Sequence, residues 1–153
     1  MQGPVTGKGD RRPHTARKRR DAAGRDLRVV AERAAAYSLS FAARKPVATN
    51  SADTMADGMA VRVPDPTALE VILKSCARVV TVGEDEIKAA MRATFADTHN
   101  VAEGAGAAPL AALLQEREKM AGQKVGLILS GGNVDTAVYR DVLAADSCSG
   151  KNC

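Results

Sequence analysis

Aromatic residues are scarce in this sequence, which has two Phe, two Tyr and no Trp, or 3% of its residues. Its core must therefore be built from Ala, Val, Leu, Ile and Met, within an overall hydrophobic content of 45%. Alanine-rich helices around short Val, Ile and Leu strands are typical of α/β proteins. A chain of 153 residues is long enough to bury the core of one ordinary domain.

Long apolar runs are also missing, and none approaches the ~20 residues that a membrane-spanning helix needs. The start of the chain lacks the apolar stretch of a secretory signal. The three cysteines, Cys76, Cys148 and Cys153, are odd in number and widely separated, so they indicate no disulfide framework. No histidine lies near Cys148 and Cys153, which argues against a zinc site. We expect a cytoplasmic protein without membrane contact.

Positive charge is concentrated at the start of the chain. Residues 1–25 contain eight basic and two acidic residues, whereas the remainder contains 14 basic and 16 acidic ones. We expect residues 1–26 to form a disordered basic arm, because they have too little apolar surface to fold, and residues 144–153 to form a flexible tail. The cluster Arg17–Arg20 could contact nucleic acid phosphates. No aromatic residue interleaves it to stack on bases, however, so the sequence argues against nucleic acid as a partner.

The hydrophobic pattern predicts an α/β protein with a parallel sheet flanked by helices. Strands are predicted at 27–31, 78–82 and 124–129, and the last is an apolar run typical of a strand covered on both faces. Helices are predicted at 34–43, 68–76, 84–99, 104–116 and 136–143. A loop or a partly capped helix start is predicted at 49–58, with a turn at Asp57-Gly58. Two helices have predicted core faces, made of Ile87, Ala90, Met91, Thr94 and Phe95 in one and of Leu110, Leu113 and Leu114 in the next.

Three segments could carry a ligand site. The first, Ser130-Gly131-Gly132-Asn133, follows a predicted strand, and ligands of open parallel sheets bind at the carboxyl ends of strands. An ordinary strand-to-helix turn explains these four residues equally well. In the second, 101–108, Glu103 precedes small residues that allow close packing, although it could simply cap a helix. In the third, 53–61, the carboxylates of Asp53 and Asp57 could line a site, but helix capping by these aspartates is the favoured interpretation.

Taken together and in order, segments 52–61, 82–87, 102–108 and 129–135 resemble the downstream half of the threonine dehydratase and serine racemase family. The resemblance covers residues 27–143. It implies the fold type II architecture of pyridoxal-phosphate enzymes, similar to the tryptophan synthase β subunit, with the cofactor held between two α/β domains. It also implies pyridoxal phosphate as cofactor, and β-elimination of water from L-threonine or L-serine with deamination to a 2-oxo acid.

The resemblance assigns roles to individual residues. Ser130 matches the serine whose hydroxyl hydrogen-bonds the pyridine nitrogen of the cofactor, and Glu103 matches an acidic residue beside the ring. Gly131, Gly132 and Asn133 would shape the floor of that pocket. In racemase-like members two acidic residues and a backbone carbonyl bind a divalent cation. Glu32 matches the first acidic residue, but Ser38 stands where the second is needed, so we expect no metal.

Two parts of the family pattern are missing from this sequence. The Schiff-base lysine of the family lies in a Ser-Phe-Lys-x-Arg-Gly-Ala motif, and the cofactor phosphate lies in a run of glycines. Here Ser40-Phe41-Ala42 places alanine at the lysine position, and Lys45 is predicted to be a solvated residue at a helix end. We therefore assign no catalytic residue and expect the chain alone to be inactive. It could act with a complementary chain or as a homo-oligomer, or it could be a non-catalytic fragment or a binding protein with a basic arm.

Overall fold

The computed structural model describes residues 26–145, so most of the predicted arm and tail lie outside the described residues. This range contains two strands, β1 (Asp26–Ala31) and β2 (Cys76–Val82). It also contains five α-helices: α1 (Ala36–Ala43), α2 (Pro66–Ser75), α3 (Glu84–Thr98), α4 (Gly104–Gln115) and α5 (Thr136–Ala144). Two 3-10 helices cover Glu32–Ala34 and Asp57–Met59. Every predicted helix and strand except one is thus present, with small shifts at its ends.

Strands β1 and β2 form a two-stranded parallel sheet in which Val30 pairs with Thr81 and Ala31 with Val82. The last residues of the two strands, Ala31 and Val82, are buried, whereas the beginning of β1 is exposed. Helix α4 contacts both strands and also packs along α3, while α1 contacts β2 and α2. Helices thus flank a parallel sheet, which confirms the predicted α/β class.

Helix α3 begins directly after β2, at Gly83. The side chain of Glu86 accepts a hydrogen bond from the Gly83 N–H at 2.7 Å, which satisfies one of the free amides at the helix start. Glu84, Asp85 and Glu86 also place negative charge at the positive end of the helix dipole. The predicted buried face is confirmed except at Phe95, which is 37% exposed and contacts the edge of the Tyr139 ring at a centroid distance of 5.9 Å.

The predicted leucine face of α4 was wrong as the main buried face, although Leu110 packs against the core. Leu114 is 44% exposed, and Leu110 and Leu113 are only half-buried. The reason is that α4 packs closely against α3 and the sheet, and close packing of backbones favours small side chains at the contact. The buried face consists of such residues: Gly104, Gly106, Ala107, Ala108, Ala111 and Ala112.

The predicted strand at 124–129 is not formed. These residues lie outside regular structure and all are exposed. Within residues 26–145, none of their backbone groups has a hydrogen-bond partner. The sheet of the described residues consists of β1 and β2, and residues 124–129 pair with neither strand. The apolar pattern therefore predicted a strand that is not formed among these residues.

An ion pair joins the end of α4 to the sheet. The Arg78 guanidinium donates two hydrogen bonds to the Glu116 carboxylate, and Lys119 Nζ lies 3.4 Å from the same group. The Glu116 side chain is 8% exposed and that of Arg78 is 40% exposed. The hydrogen bonds from Arg78 lower the pKa of Glu116, against an opposing effect of burial.

Arg78→Gln is expected to lower the free energy of unfolding by about 1–3 kcal/mol at pH 7, because the nearly buried Glu116 carboxylate loses the nearer of its two cations. The exposure of Arg78 and the remaining contact with Lys119 moderate the loss. A carboxyl group whose folded pKa is lowered contributes stability above its unfolded pKa of about 4.3, and this contribution disappears as pH falls through the folded pKa. Urea unfolding at pH 7 and about pH 3 should therefore show a difference between wild type and variant that shrinks in acid. An unchanged difference would contradict this role of the pair.

Candidate functional site

Two of the predicted site segments meet in the structure. The backbone N–H of Glu103 donates a hydrogen bond to the carbonyl of Gly131 at 3.0 Å. A Cβ atom added to Gly106 would lie 2.5 Å from that same carbonyl, and one added to Gly132 would lie 2.6 Å from the carbonyl of Val101. The two segments therefore pack backbone against backbone, and glycine is the residue that allows this approach.

The third segment covers the same helix start. A Cβ atom on Gly58 would lie 3.1 Å from the Ala105 Cβ atom, and one on Gly104 would lie 3.0 Å from the Ala56 Cα atom. The turn predicted at Asp57-Gly58 gave no indication of this close contact with α4. We call the five close-packed glycines of these three segments, Gly58, Gly104, Gly106, Gly131 and Gly132, the glycine cradle.

Glu103 lies at the centre of the cradle. It is the residue before α4, but its side chain makes no capping hydrogen bond, so the simple capping interpretation is wrong. Its carboxylate instead lies against Gly131, where an added Cβ atom would overlap it, and its Oε1 atom is 3.9 Å from the Cβ position of Gly58. The half-buried carboxylate is thus held between the first and third segments of the candidate site.

Ser130 and Asn133 lie at the open side of the cradle. Both residues are exposed, and neither side chain makes a hydrogen bond within residues 26–145. The following turn is fixed, because Val134 donates its N–H to the carbonyl of Gly132 at 3.1 Å and Asp135 caps α5 by accepting from the Ala137 N–H at 2.8 Å. The Ser130 hydroxyl is therefore available to an external ligand.

The third segment is anchored from the start of α3. The Met55 N–H donates a hydrogen bond to Glu84 Oε2 at 3.0 Å. Glu84 Oε1 is buried and has no hydrogen-bond partner in the described part of the chain. This link ties the loop that ends in Gly58 to the carboxyl end of β2. No sequence signal points to it, because the two residues are 29 positions apart.

Glu84→Ala is expected to destabilise the folded chain by about 1–2 kcal/mol, because the Met55 amide loses its acceptor. Glu84→Gln keeps an oxygen acceptor and should lose less than half of that. Urea unfolding of the two variants measures the difference. Equal losses would show that the hydrogen bond to Met55 contributes little.

The aspartates of the third segment do not cap a helix, so that favoured interpretation was also wrong. Asp53 forms an ion pair with Arg33, and both side chains are exposed. Asp57 is the first residue of a 3-10 helix that has no side-chain cap. Asp53 therefore joins its loop to the 3-10 helix Glu32–Ala34, while Gly58 and the hydrogen bond from Met55 to Glu84 position the segment at the site.

Two other candidate positions are Glu32 and Lys45. Glu32 is exposed in the 3-10 helix after β1, where its Oε2 atom lies 3.7 Å from the Cβ position of Gly83. Across residues 26–145, no group of three or more His, Cys, Asp or Glu residues could hold a metal ion. Lys45 is exposed two residues after the end of α1, and the intervening C-cap residue Arg44 has the left-handed conformation. No helix in the described ranges is long and apolar enough to span a membrane.

Residues 15–131 match the family described as pyridoxal-phosphate dependent enzyme. The chain belongs to this family. The match begins within the segment predicted to be a basic arm and ends at Gly131, inside the glycine cradle. It therefore includes every glycine of the cradle except Gly132.

Curated proteins that are similar in sequence to this chain include threonine ammonia-lyases and dehydratases. It is 41% identical over 97 residues to L-threonine ammonia-lyase of Geobacter sulfurreducens, an alignment that covers 60% of this chain and 24% of that protein. It is 34% identical over 110 residues to a catabolic L-threonine dehydratase of Staphylococcus aureus, covering 70% of this chain and 32% of the relative. The chain thus spans about a quarter to a third of the length of these relatives.

Solved structures agree on the fold. A threonine deaminase from T.th. aligns with a TM-score of 0.67 and 31% identity, over 71% of this chain and 40% of that one. The processed form of threonine deaminase isoform 2 from Solanum lycopersicum aligns with a TM-score of 0.73 and 27% identity, over 80% of this chain and 36% of that one. The fold is therefore that of part of a fold type II pyridoxal-phosphate enzyme.

The side chain of Ser130 is chemically suited to the ring of the family's cofactor, because a neutral hydroxyl can hydrogen-bond a pyridine nitrogen. Ser130 is exposed, and it precedes Gly131, one of the five glycines at which the three segments pack backbone against backbone. The sequence holds neither the lysine motif nor the phosphate-binding glycine run of the family.

Proposed function

We propose that this chain forms the ring-side wall of the cofactor pocket in a threonine or serine dehydratase. The reaction removes water and then ammonia from L-threonine or L-serine and yields a 2-oxo acid. The lysine and the phosphate loop come from a polypeptide segment that is not in this sequence. The convergence of Gly58, Glu103 and Gly131 in one glycine cradle is the observation that carries this proposal.

The three segments share a property that supports a common site. They are far apart in sequence, yet each contributes a glycine at which a Cβ atom would meet a neighbouring segment at 3.1 Å or less. Glycine is the usual residue where backbone must approach another segment or a ligand closely. The relatives named as threonine ammonia-lyase and threonine dehydratase support the reaction class.

Each residue has a defined task in this function. Pyridoxal phosphate, when bound, withdraws electrons from the substrate α-carbon and so allows loss of the α-proton and the β-hydroxyl. The Ser130 hydroxyl can hydrogen-bond the ring nitrogen, and because it is neutral it leaves that nitrogen largely unprotonated. Glu103 holds a carboxylate beside Gly131, and the hydrogen bond to Glu84 holds the loop of Gly58 near it. When the cofactor is bound, these residues would support one side of its ring.

A chimera tests the proposal directly. Residues 27–143 of this chain replace the matching region of the Geobacter sulfurreducens L-threonine ammonia-lyase, which retains its own upstream segment. We expect the chimera to bind pyridoxal phosphate and to release a 2-oxo acid from L-threonine or L-serine. The product is measured by its hydrazone absorbance.

Substitution of Ser130 separates a specific role from general damage. Ser130→Ala should lower kcat/KM of the chimera at least ~10-fold, the effect of losing one hydrogen bond of about 1.4 kcal/mol or more. Ser75→Ala is the matched control, because its hydroxyl donates to the Val71 carbonyl within α2, away from the cradle. A folded chimera that binds the cofactor but forms no 2-oxo acid would refute the dehydratase proposal.

A further inference from the structure

Within the described residues, the loop that carries Ser130 is anchored on one side. On the side that follows Ser130, the Gly131 carbonyl accepts a hydrogen bond from the Glu103 N–H at 3.0 Å. On the side that precedes it, the backbone groups of residues 124–129 make no hydrogen bonds within residues 26–145. The position of Ser130 therefore depends on how Gly131 is held.

The first turn of α4 is the surface on which Gly131 is held. A Cβ atom added to Gly106 in that turn would lie 2.5 Å from the Gly131 carbonyl oxygen and 3.2 Å from the Gly131 nitrogen. The backbones of the helix and the loop are thus in direct contact, with no side chain between them. Because the Gly131 nitrogen is bonded to Ser130 in a planar peptide unit, a movement of Gly131 moves Ser130 as well.

Helix α4 is the rigid partner in this contact. Its Ala107, Ala108 and Ala111 are buried, and the helix packs along α3 and both strands. Ser130 is exposed, by contrast, and Gly131 is only half-buried. A closely packed interior leaves little room for movement, so a methyl group at position 106 would displace the loop and leave the helix in place.

We propose that Gly106 is a positioning residue for the Ser130 hydroxyl. This inference rests on the proposed function, because it concerns the hydroxyl that meets the cofactor ring in the same site. Ordinary contact with an added methyl group begins at 3.4 Å, so the Gly131 carbonyl and Ser130 must move by about 1 Å. A displacement of that size can cost a catalytic group ~100-fold in rate.

The expected consequence is a change in the protonation of the cofactor's ring nitrogen. A hydroxyl that donates a hydrogen bond to this nitrogen favours its unprotonated form. Gly106→Ala moves the hydroxyl away, so it should raise the protonated fraction at pH 7, as Ser130→Ala does. Nitrogen NMR of ring-labelled pyridoxal phosphate, bound to the chimera described above, measures this fraction without any turnover.

A double-mutant cycle in the chimera tests whether Gly106 acts through Ser130. Alone, Gly106→Ala should lower kcat at least ~10-fold at saturating cofactor. Combined with Ser130→Ala, it should lower kcat by less than about twofold further, because the hydroxyl that it displaces is already gone. Met91→Ala is the matched control for lost stability, since Met91 is fully buried in α3. It should leave the protonated fraction unchanged, and any effect on kcat should multiply with that of Ser130→Ala.

Gly132→Ala displaces the same loop from another direction. Its Cβ atom would lie 2.6 Å from the carbonyl of Val101, which precedes α4. We expect the same rise in the protonated fraction and the same lack of additivity with Ser130→Ala. This variant leaves the sequence of α4 unchanged, so it tests the position of Ser130 even where Gly106→Ala prevents folding.

The outcomes separate this inference from the proposed function. A protonated fraction in Gly106→Ala and Gly132→Ala equal to that of the unsubstituted chimera would overturn the inference, even in an active enzyme. Losses in kcat that multiply with the loss in Ser130→Ala would overturn it as well. A chimera that binds the cofactor and shows the predicted rise in both variants, but forms no 2-oxo acid, would support the positioning role and refute the dehydratase.

Discussion

Gly106→Ala is expected to destabilise the chain by about 2–3 kcal/mol, although alanine is the better helix former. In a free helix this substitution stabilises by about 1 kcal/mol. Here the new Cβ atom would lie 2.5 Å from the Gly131 carbonyl, so the helix and the Ser130 loop must move apart. Overpacking of this kind costs about 1–3 kcal/mol and more where the obstacle is backbone. Urea unfolding gives the free energy of unfolding for both proteins.

Whether Gly106→Ala lowers or raises the free energy of unfolding tests the close packing of the glycine cradle. Gly126→Ala is the matched control, because no atom lies within 4 Å of its Cβ position. It should change the free energy of unfolding by less than about 0.5 kcal/mol, as exposed substitutions usually do. If Gly106→Ala stabilises the chain, the contact between α4 and Gly131 is not formed in solution.

Met91→Ala is expected to cost about 2–5 kcal/mol, the usual range for deleting a buried methionine side chain. Met91 is fully buried in α3 and is among the largest fully buried side chains of the described residues. It shares its buried cluster with Ala107, Ala108 and Ala111 of α4, whose short side chains cannot move in to fill the space. A core made of alanines therefore depends on its few large residues.

Thermal or urea unfolding of Met91→Ala, compared with Val71→Ala, measures this dependence. Val71 is 50% exposed on α2, so its truncation should cost less than about 1 kcal/mol. A loss for Met91→Ala that is no larger than for Val71→Ala would mean that α3 and α4 do not pack as the structure describes.

Local patterns explain why most elements were predictable. The acidic first turn and the spaced apolar residues of α3 depend only on neighbours within the helix, and the structure confirms them from Glu84 to Thr94. The alanine face of α4 was mistaken for a leucine face because hydrophobicity alone ranks leucine first. What decides burial there is the close approach to α3, a property of the tertiary structure.

The candidate site likewise has parts that local sequence predicts and parts that depend on tertiary structure. The three segments could be singled out from the aspartates of 53–61, from Glu103 and from Ser130, and the structure brings their loops together. The hydrogen bond from Met55 to Glu84 could not be predicted, because nothing local to either residue requires it. The strand at 124–129 was predicted from its own composition, but a strand forms only by pairing with another strand, and among the described residues this segment pairs with none.

Our central inference is that the loops around the glycine cradle form the ring side of a pyridoxal-phosphate pocket. The decisive measurement is titration of the chimera with pyridoxal phosphate, followed by the visible absorbance of the bound cofactor. We expect stoichiometric binding that Ser130→Ala weakens at least ~10-fold and Ser75→Ala leaves unchanged. Binding of equal strength in the chimera and in Ser130→Ala, or no binding by a folded chimera, would contradict this inference.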